Sequence, residues 1–345
     1  MVYRIADTQV TSSFIGQMME TKIALENKRK EISTGYKVID ASDDPGRAGT
    51  LSALQHTIQR IDRHSQRITF ATTLLSTQEN LVSNANDILI RAKELAVQAA
   101  NGTLSTEARA QIGDEIFELR DTLAGLANTK HQGMYLYGGL DDDDPPFDLN
   151  QTAPFFYTNP PDAAPAPNPA EKTHWVFDDP AVELGQTDTR SVAISDTESV
   201  RIISRGDEVF QGAINALEIL GRSLKGYRTG VDVNGDPDGT GDAYTFPDEY
   251  ALQTSDIQAA IDSLESVRTD DIQAELSSIG SRVNRLEQTQ QILEKLKIGT
   301  EDARSAIQDT DLFAAASEFS NLQTSLQALL AAGTRINSLT LLDYL

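Results

Sequence analysis

The sequence contains no cysteine. Disulfides, thiolate metal ligands and thiol nucleophiles are therefore excluded together, and such a chain tolerates either redox environment. Proline is nearly absent from two long stretches: of 12 prolines, only Pro45 lies outside residues 145–247. Proline lacks the amide hydrogen and its ring clashes with the preceding turn, so both flanks are free to be helical and the centre is not. No run of 18 apolar residues occurs, so no membrane span is expected. The first residues lack a basic segment followed by an apolar one, so no cleaved signal peptide is expected. Basic side chains are few, 29 against 52 acidic, which argues against a phosphate backbone as partner.

What is present is organised in three zones. The acidity is concentrated centrally: residues 141–254 carry 22 acidic and 7 basic side chains, whereas residues 1–140 carry 16 and 15. In the first flank, Leu54, Ile61, Ile68, Leu75, Val82, Leu89 and Ala96 repeat every seven residues, with a second seam at Leu74, Leu81, Ile88 and Leu95. This pattern predicts one long helix over 45–101, packed on more than one neighbour. Asp43 or Asp44 before Pro45 supplies its N-cap, and Asn101-Gly102 its end. Ser105 caps a second helix carrying Ile112, Ile116, Leu119, Leu123 and Leu126, antiparallel to the first because the link is short.

In the other flank, Ser255 to Gln258 reads as a capping box. Ile272, Leu276, Ile279, Val283, Leu286 and Leu293 keep the spacing of three and four, with Gln290 as the polar member. The last segment continues it through Phe319, Leu322, Leu326, Leu329, Gly333 and Ile336, and a sparser N-terminal counterpart has Phe14, Met18, Leu25 and Ile32. Short strand-like runs occur at Trp175 to Phe177, Ser191 to Ile194 and Ser199 to Ile203. A helix follows with Phe210, Ile214, Leu217, Leu220 and Leu224 inward, then a Gly/Asp/Pro-rich loop over 227–254. The expected architecture is mainly α: an elongated antiparallel helical rod built from both chain ends, with a small β-rich inserted domain. The divisions are a terminal assembly segment at 1–40, rod halves at 41–140 and 206–310, an outer domain at 141–205 and a terminal assembly helix at 311–345.

Chemistry-bearing motifs are scarce. His56 and His64 are too far apart for a helical metal pair, and His131 and His174 have no clustered ligands. Asn234 to Gly239 resembles the start of a calcium loop, but Thr245 stands where a bidentate Glu belongs, so a solvated turn is expected, as for Asp141 to Asp144. No nucleophile elbow, phosphate loop or dinucleotide fingerprint occurs. No catalytic residue, cofactor or metal is expected, and an enzyme with a carboxylate site in the middle domain is the residual alternative.

Several stretches then resemble the flagellin family. Glu31 to Val38 with Ala41 to Pro45 is similar to the family's N-terminal signature. Glu94 to Thr103 and Ala127 to Gly139 are similar to its other shared segments, the second being a β-hairpin. The tail Ser338 to Leu345 and the variant Asp43-Asp44-Pro45 point to the members at the junction of hook and filament, the filament subunit being the alternative. The resemblance implies a structural subunit that leaves the cell through the flagellar export channel and forms a ring. Its termini fold on assembly. The implied partners are copies of itself, the other hook-associated junction protein, flagellin and an export chaperone. The implied interface comprises Phe14, Met18, Leu25, Ile32, Phe319, Leu322, Leu326, Leu329, Ile336, Leu342, Tyr344 and Leu345. A soluble coiled-coil adaptor or chaperone is the alternative of another class.

Overall fold

The computed structural model describes residues 2–42, 44–139, 144–148, 176–177, 190–227, 244 and 246–342. Among the described residues seven stretches form α-helices: α1 (Val2–Thr34), α2 (Pro45–Ala99), α3 (Thr106–Ala127), α4 (Gly212–Leu224), α5 (Tyr250–Val267), α6 (Ala274–Gln308) and α7 (Leu312–Leu342). Single π-helical turns, Asp207–Gln211 and Arg268–Gln273, lead into α4 and α6. The described strands form three antiparallel pairs: β1 (Lys130–His131) with β2 (Met134–Tyr135), β3 (Phe147–Asp148) with β4 (Val176–Phe177), and β5 (Ser191–Ala193) with β6 (Ser199–Arg201). The mainly helical architecture built from both flanks matches the expectation.

The chain divides into two compact units, one comprising Met1–Arg63 and Ile292–Leu345, the other His64–Gln291. In the second unit the start of α3 follows the sequence reading. Ser105 accepts a hydrogen bond from the Ala108 amide at 3.2 Å, satisfying a donor that the first helical turn leaves free. Arg91 of α2 reaches Glu115 of α3 at 2.8 Å. The two residues lie at similar distances from the link between the helices, as an antiparallel pair requires. At the start of α2, Asp44 performs the capping and accepts from the Arg47 amide at 3.1 Å; Asp43 lies outside the described residues.

The interior face of α2 differs from the expected pair of seams. Ile61, Ile68, Leu75, Val82, Leu89 and Ala96 are buried as predicted. The second buried column is His64, Ala71, Gln78, Ala85, Ala92 and Ala99, three residues further on each time. Leu74 and Leu95 are also buried, but Leu81 and Ile88 are only half-buried. Together the two columns alternate steps of three and four along α2, which is a heptad seam. A search for large apolar residues passes over alanines, yet small side chains let neighbouring elements approach closely.

Close approach also sets the packing of α3 on α4. A Cβ at Gly221 would lie 2.7 Å from the Phe117 ring, and one at Gly113 would lie 3.1 Å from the Gly221 carbonyl oxygen. Between these helices Glu218 is buried with two arginines: Arg120 donates to one carboxylate oxygen and Arg222 Nε to the other at 2.7 Å.

Helix α5 begins five residues before the expected capping box, so the predicted loop over 227–254 is shorter and Ser255 is an exposed helical residue. Tertiary anchoring outweighs the local signal here. The Tyr250 hydroxyl donates to the Leu104 carbonyl. Gln253 accepts from Arg109 at 2.7 Å and donates to the Ser223 carbonyl at 2.8 Å. Arg109 is wholly buried, with its guanidinium 4.2 Å from the Tyr250 ring centroid. The β1–β2 hairpin turns through Gln132 and Gly133, both at positive φ (53° and 91°), as a tight hairpin whose twist matches its strands requires. Most of the stretch expected to be an outer β-rich domain, including Trp175 and His174, lies outside the described residues, as does the Asn234 to Gly239 loop.

Candidate assembly interface

The terminal helices α1 and α7 pair with each other in the first unit. On α1, Phe14, Met18, Thr21, Leu25, Lys28 and Ile32 are half-buried. On α7, Ala315 is buried and Phe319, Leu322, Leu326, Leu329 and Gly333 are half-buried. Both sets alternate steps of four and three, so each helix presents one heptad stripe. Three contacts orient the stripes. The Phe14 ring lies over Gly333, where a Cβ would stand 2.8 Å from its Cε1. The Lys28 ammonium meets Glu318 at 2.7 Å. The Thr310 hydroxyl donates to the Glu31 carboxylate. As residue numbers rise on one helix they fall on the other, so the pair is antiparallel.

A backbone clamp closes one end of the pair. Tyr36 and Asp309 form an antiparallel bridge. The Lys37 amide donates to the Gln308 carbonyl at 2.6 Å, and the Thr310 amide donates to the Gly35 carbonyl at 3.0 Å. Gly35 has φ +75°, a left-handed conformation that side chains other than glycine strain to adopt, and it ends α1. Beside the clamp, the hydrogen bonds that the Lys28 ammonium donates to Glu31 and then Glu318 hold it above its ordinary pKa. Burial pushes the Glu31 carboxyl up, but the hydrogen bonds of Lys28 and Thr310 outweigh this and hold it below its ordinary value.

The structure thus brings Phe14, Met18, Leu25, Ile32, Phe319, Leu322, Leu326 and Leu329 onto the facing stripes of one chain's own helix pair. Ile336 and Leu342 belong to α7, and their side chains are outside the described set; Tyr344 and Leu345 lie outside the described residues altogether. A second group of apolar residues was not singled out by the seam. Ile15, Met19 and Ile23 follow one another every four residues on α1 and are 43, 59 and 61% exposed. Phe313 (89%) and Leu330 on α7, and Ile292, Leu296 and Ile298 on α6, are exposed as well. The spacing of four among Ile15, Met19 and Ile23 is present in the sequence, but it lies beside the stripe that the heptad of α1 marks.

Polar side chains also bind one another within the second unit. Arg282 is bound to Glu275 (2.7 Å), Ser204 and Ser278. Buried His64 meets Asp196 at 3.3 Å. Among the described residues no group of three His, Cys, Asp or Glu side chains could hold a metal ion, and no helix is long and apolar enough to cross a membrane.

Comparison with known proteins agrees with the flanks. Residues 6–141 match the bacterial flagellin N-terminal helical region, and residues 257–345 match the C-terminal helical region. Flagellar hook-associated protein 3 of Escherichia coli is 25% identical over 327 residues, 90% of each chain. That of Salmonella typhimurium is 34% identical over 120 residues, 34% of this chain and 38% of its own. The flagellin of Bacillus subtilis is 25% identical over 323 residues, 92% of this chain and 91% of its own. The solved structure of the flagellar junction protein FlgL from Legionella pneumophila superposes with a TM-score of 0.53 at 16% identity, over 76% of this chain and all of that one. FlgL from Xanthomonas campestris gives 0.52 at 14% identity, over 74% and 99%. At such identities the structural likeness speaks for the fold. With both terminal regions matched, the chain belongs to the flagellin family, as a structural flagellar protein of the hook-associated kind.

Proposed function

We propose that the chain is a subunit of the ring joining hook to filament, and that its terminal helices complete their folding as they assemble. The observation that carries this reading is the pair of terminal helices. They are zipped along one stripe yet keep Ile15, Met19, Ile23, Phe313 and Leu330 exposed. The α1 stripe contains Thr21 and Lys28 among its apolar members, so the pair is weakly held by itself. Each large apolar side chain covered by a neighbouring subunit adds about 1.5–3 kcal/mol, which offsets the cost of ordering the ends.

In this reading residues 1–40 and 311–345 are the assembly segments and 41–140 with 206–310 the helical body. Residues 141–205 form an outward domain. The interface residues are the Phe14 to Ile32 and Phe319 to Leu345 sets, joined by Ile15, Met19 and Ile23. Neighbours are copies of the same chain, the other hook-associated junction protein and flagellin. The chain exits through the flagellar export channel, with a chaperone on its C-terminal helix. Its role is structural, as in the relatives named above, and not enzymatic.

Deleting residues 312–345 tests the reading. The expected product is a soluble monomer in size-exclusion chromatography that is missing from isolated flagella; truncated protein found at the junction would refute it. The full-length likeness to Bacillus subtilis flagellin favours one second reading, a filament subunit. Cells lacking a junction subunit keep hooks and shed filament protein into the medium, whereas cells lacking the filament subunit shed none.

A further inference from the structure

We propose that Phe14 with Gly333, and Lys28 with Glu318, select the register in which the two terminal helices pair. A heptad seam alone leaves that register open. Sliding one helix by seven residues, about 10 Å, again sets stripe against stripe. In the observed register Phe14 lies over Gly333, a large ring on the one stripe position without a side chain. A slide in one direction sets Phe14 beside Leu326, where two large groups compete for one space, and Lys28 beside Leu312. A slide in the other direction sets Lys28 beside Leu326, with its ammonium facing an apolar side chain and Glu318 left behind. Only the observed register gives the ring its glycine and the ammonium its carboxylate, at 2.7 Å.

The two contacts are of different kinds, steric and ionic, and they lie fourteen residues apart on α1. The clamp at Gly35 to Lys37 holds the near end of the pair, and of the contacts named above the Phe14 contact lies furthest from it. A polar residue in an otherwise apolar seam is a known device for fixing alignment at some expense of stability. The consequence for assembly rests on the function proposed above. A pair out of register presents Ile15, Met19 and Ile23 at the wrong height against α7's outer residues.

The absence of cysteine makes the register directly measurable in the purified full-length chain. The pair Met18→Cys with Leu329→Cys reports the observed register, and Met18→Cys with Leu322→Cys a slide of one heptad. A disulfide needs Cα atoms within about 7 Å, so a slide of this size separates the two outcomes. Under mild oxidation the first pair is expected to close and the second to stay open. Adding Gly333→Leu and Glu318→Ala is expected to lower the first yield relative to the second by roughly tenfold, the ratio corresponding to 1.4 kcal/mol. Phe14→Ala added to Gly333→Leu is expected to restore it. Equal yields from both pairs in the parent chain, or an unchanged ratio in the variant, would overturn the proposal. Incorporation into flagella is scored separately. A variant that cross-links out of register yet still assembles would sever the link to assembly and leave the register assignment standing.

Discussion

Glu218 shows how much can depend on one residue that belongs to no functional site. It is 1% exposed and lies between the guanidiniums of Arg120 and Arg222. Removing one member of a buried ion group strands the others in a poorly solvating interior. Glu218→Gln is therefore expected to lower stability by about 3 kcal/mol, read as a lower urea midpoint at constant slope. Replacing Glu218, Arg120 and Arg222 together by leucine and methionine is expected to recover most of that loss, because both charges that Glu218 pairs go with it. Glu265 is the contrasting surface case. Hydrogen bonds from Arg268 and then Lys93 hold its carboxyl down at about 2, from an ordinary 4.5. A carboxyl depressed on folding contributes stability that is complete above the unfolded value and is lost as pH falls through the folded one. The window runs from about 4.5 down to about 2. Glu265→Gln is expected to flatten the acid limb of a stability-versus-pH curve in that window and to leave its neutral plateau slightly lower.

Elements are set by contacts between residues, and glycine separates two kinds of contact. At Gly113 an added Cβ meets the Lys225 side chain at 2.9 Å, the Gly221 carbonyl at 3.1 Å and Leu224 Cβ at 3.2 Å. A backbone carbonyl cannot swing aside, so α3 and α4 would have to separate. Gly113→Ala is expected to destabilise by about 1–3 kcal/mol. At Gly280, within α6, an added Cβ meets nothing within 4 Å. Gly280→Ala is expected to stabilise by about 0.5–1 kcal/mol, because only the unfolded chain's freedom changes. Thermal melts of the two variants should move in opposite directions. The alanine column of α2 follows the same logic, since Ala71, Ala85, Ala92 and Ala99 are all fully buried. Enlarging Ala85 to leucine is expected to lower the melting temperature although the substitution raises hydrophobicity.

For the whole molecule, the buried core lies mainly in the unit His64–Gln291, which holds Leu74, Phe210, Leu217 and Ile257. A chain trimmed to 41–311 is therefore expected to keep a cooperative melt and its near-ultraviolet dichroism, while the full-length chain gains helical signal on assembly. Loss of cooperativity on trimming would show that the terminal pair supports the fold itself. What the sequence determined by itself was local and periodic. Proline placement divided the chain, heptads marked α2 and the terminal helices, Ser105 capped α3, and the shared motifs named the family. These follow from covalent geometry and spacing, which need no partner. The tertiary structure decided what spacing leaves open. It chose the alanine column over Leu81 and Ile88, because close approach rewards small residues. It started α5 at Tyr250, because Gln253 and Tyr250 are anchored from elsewhere. It also set Phe14 over Gly333, since a heptad repeat fixes which face of a helix is covered but not which residue opposite covers it.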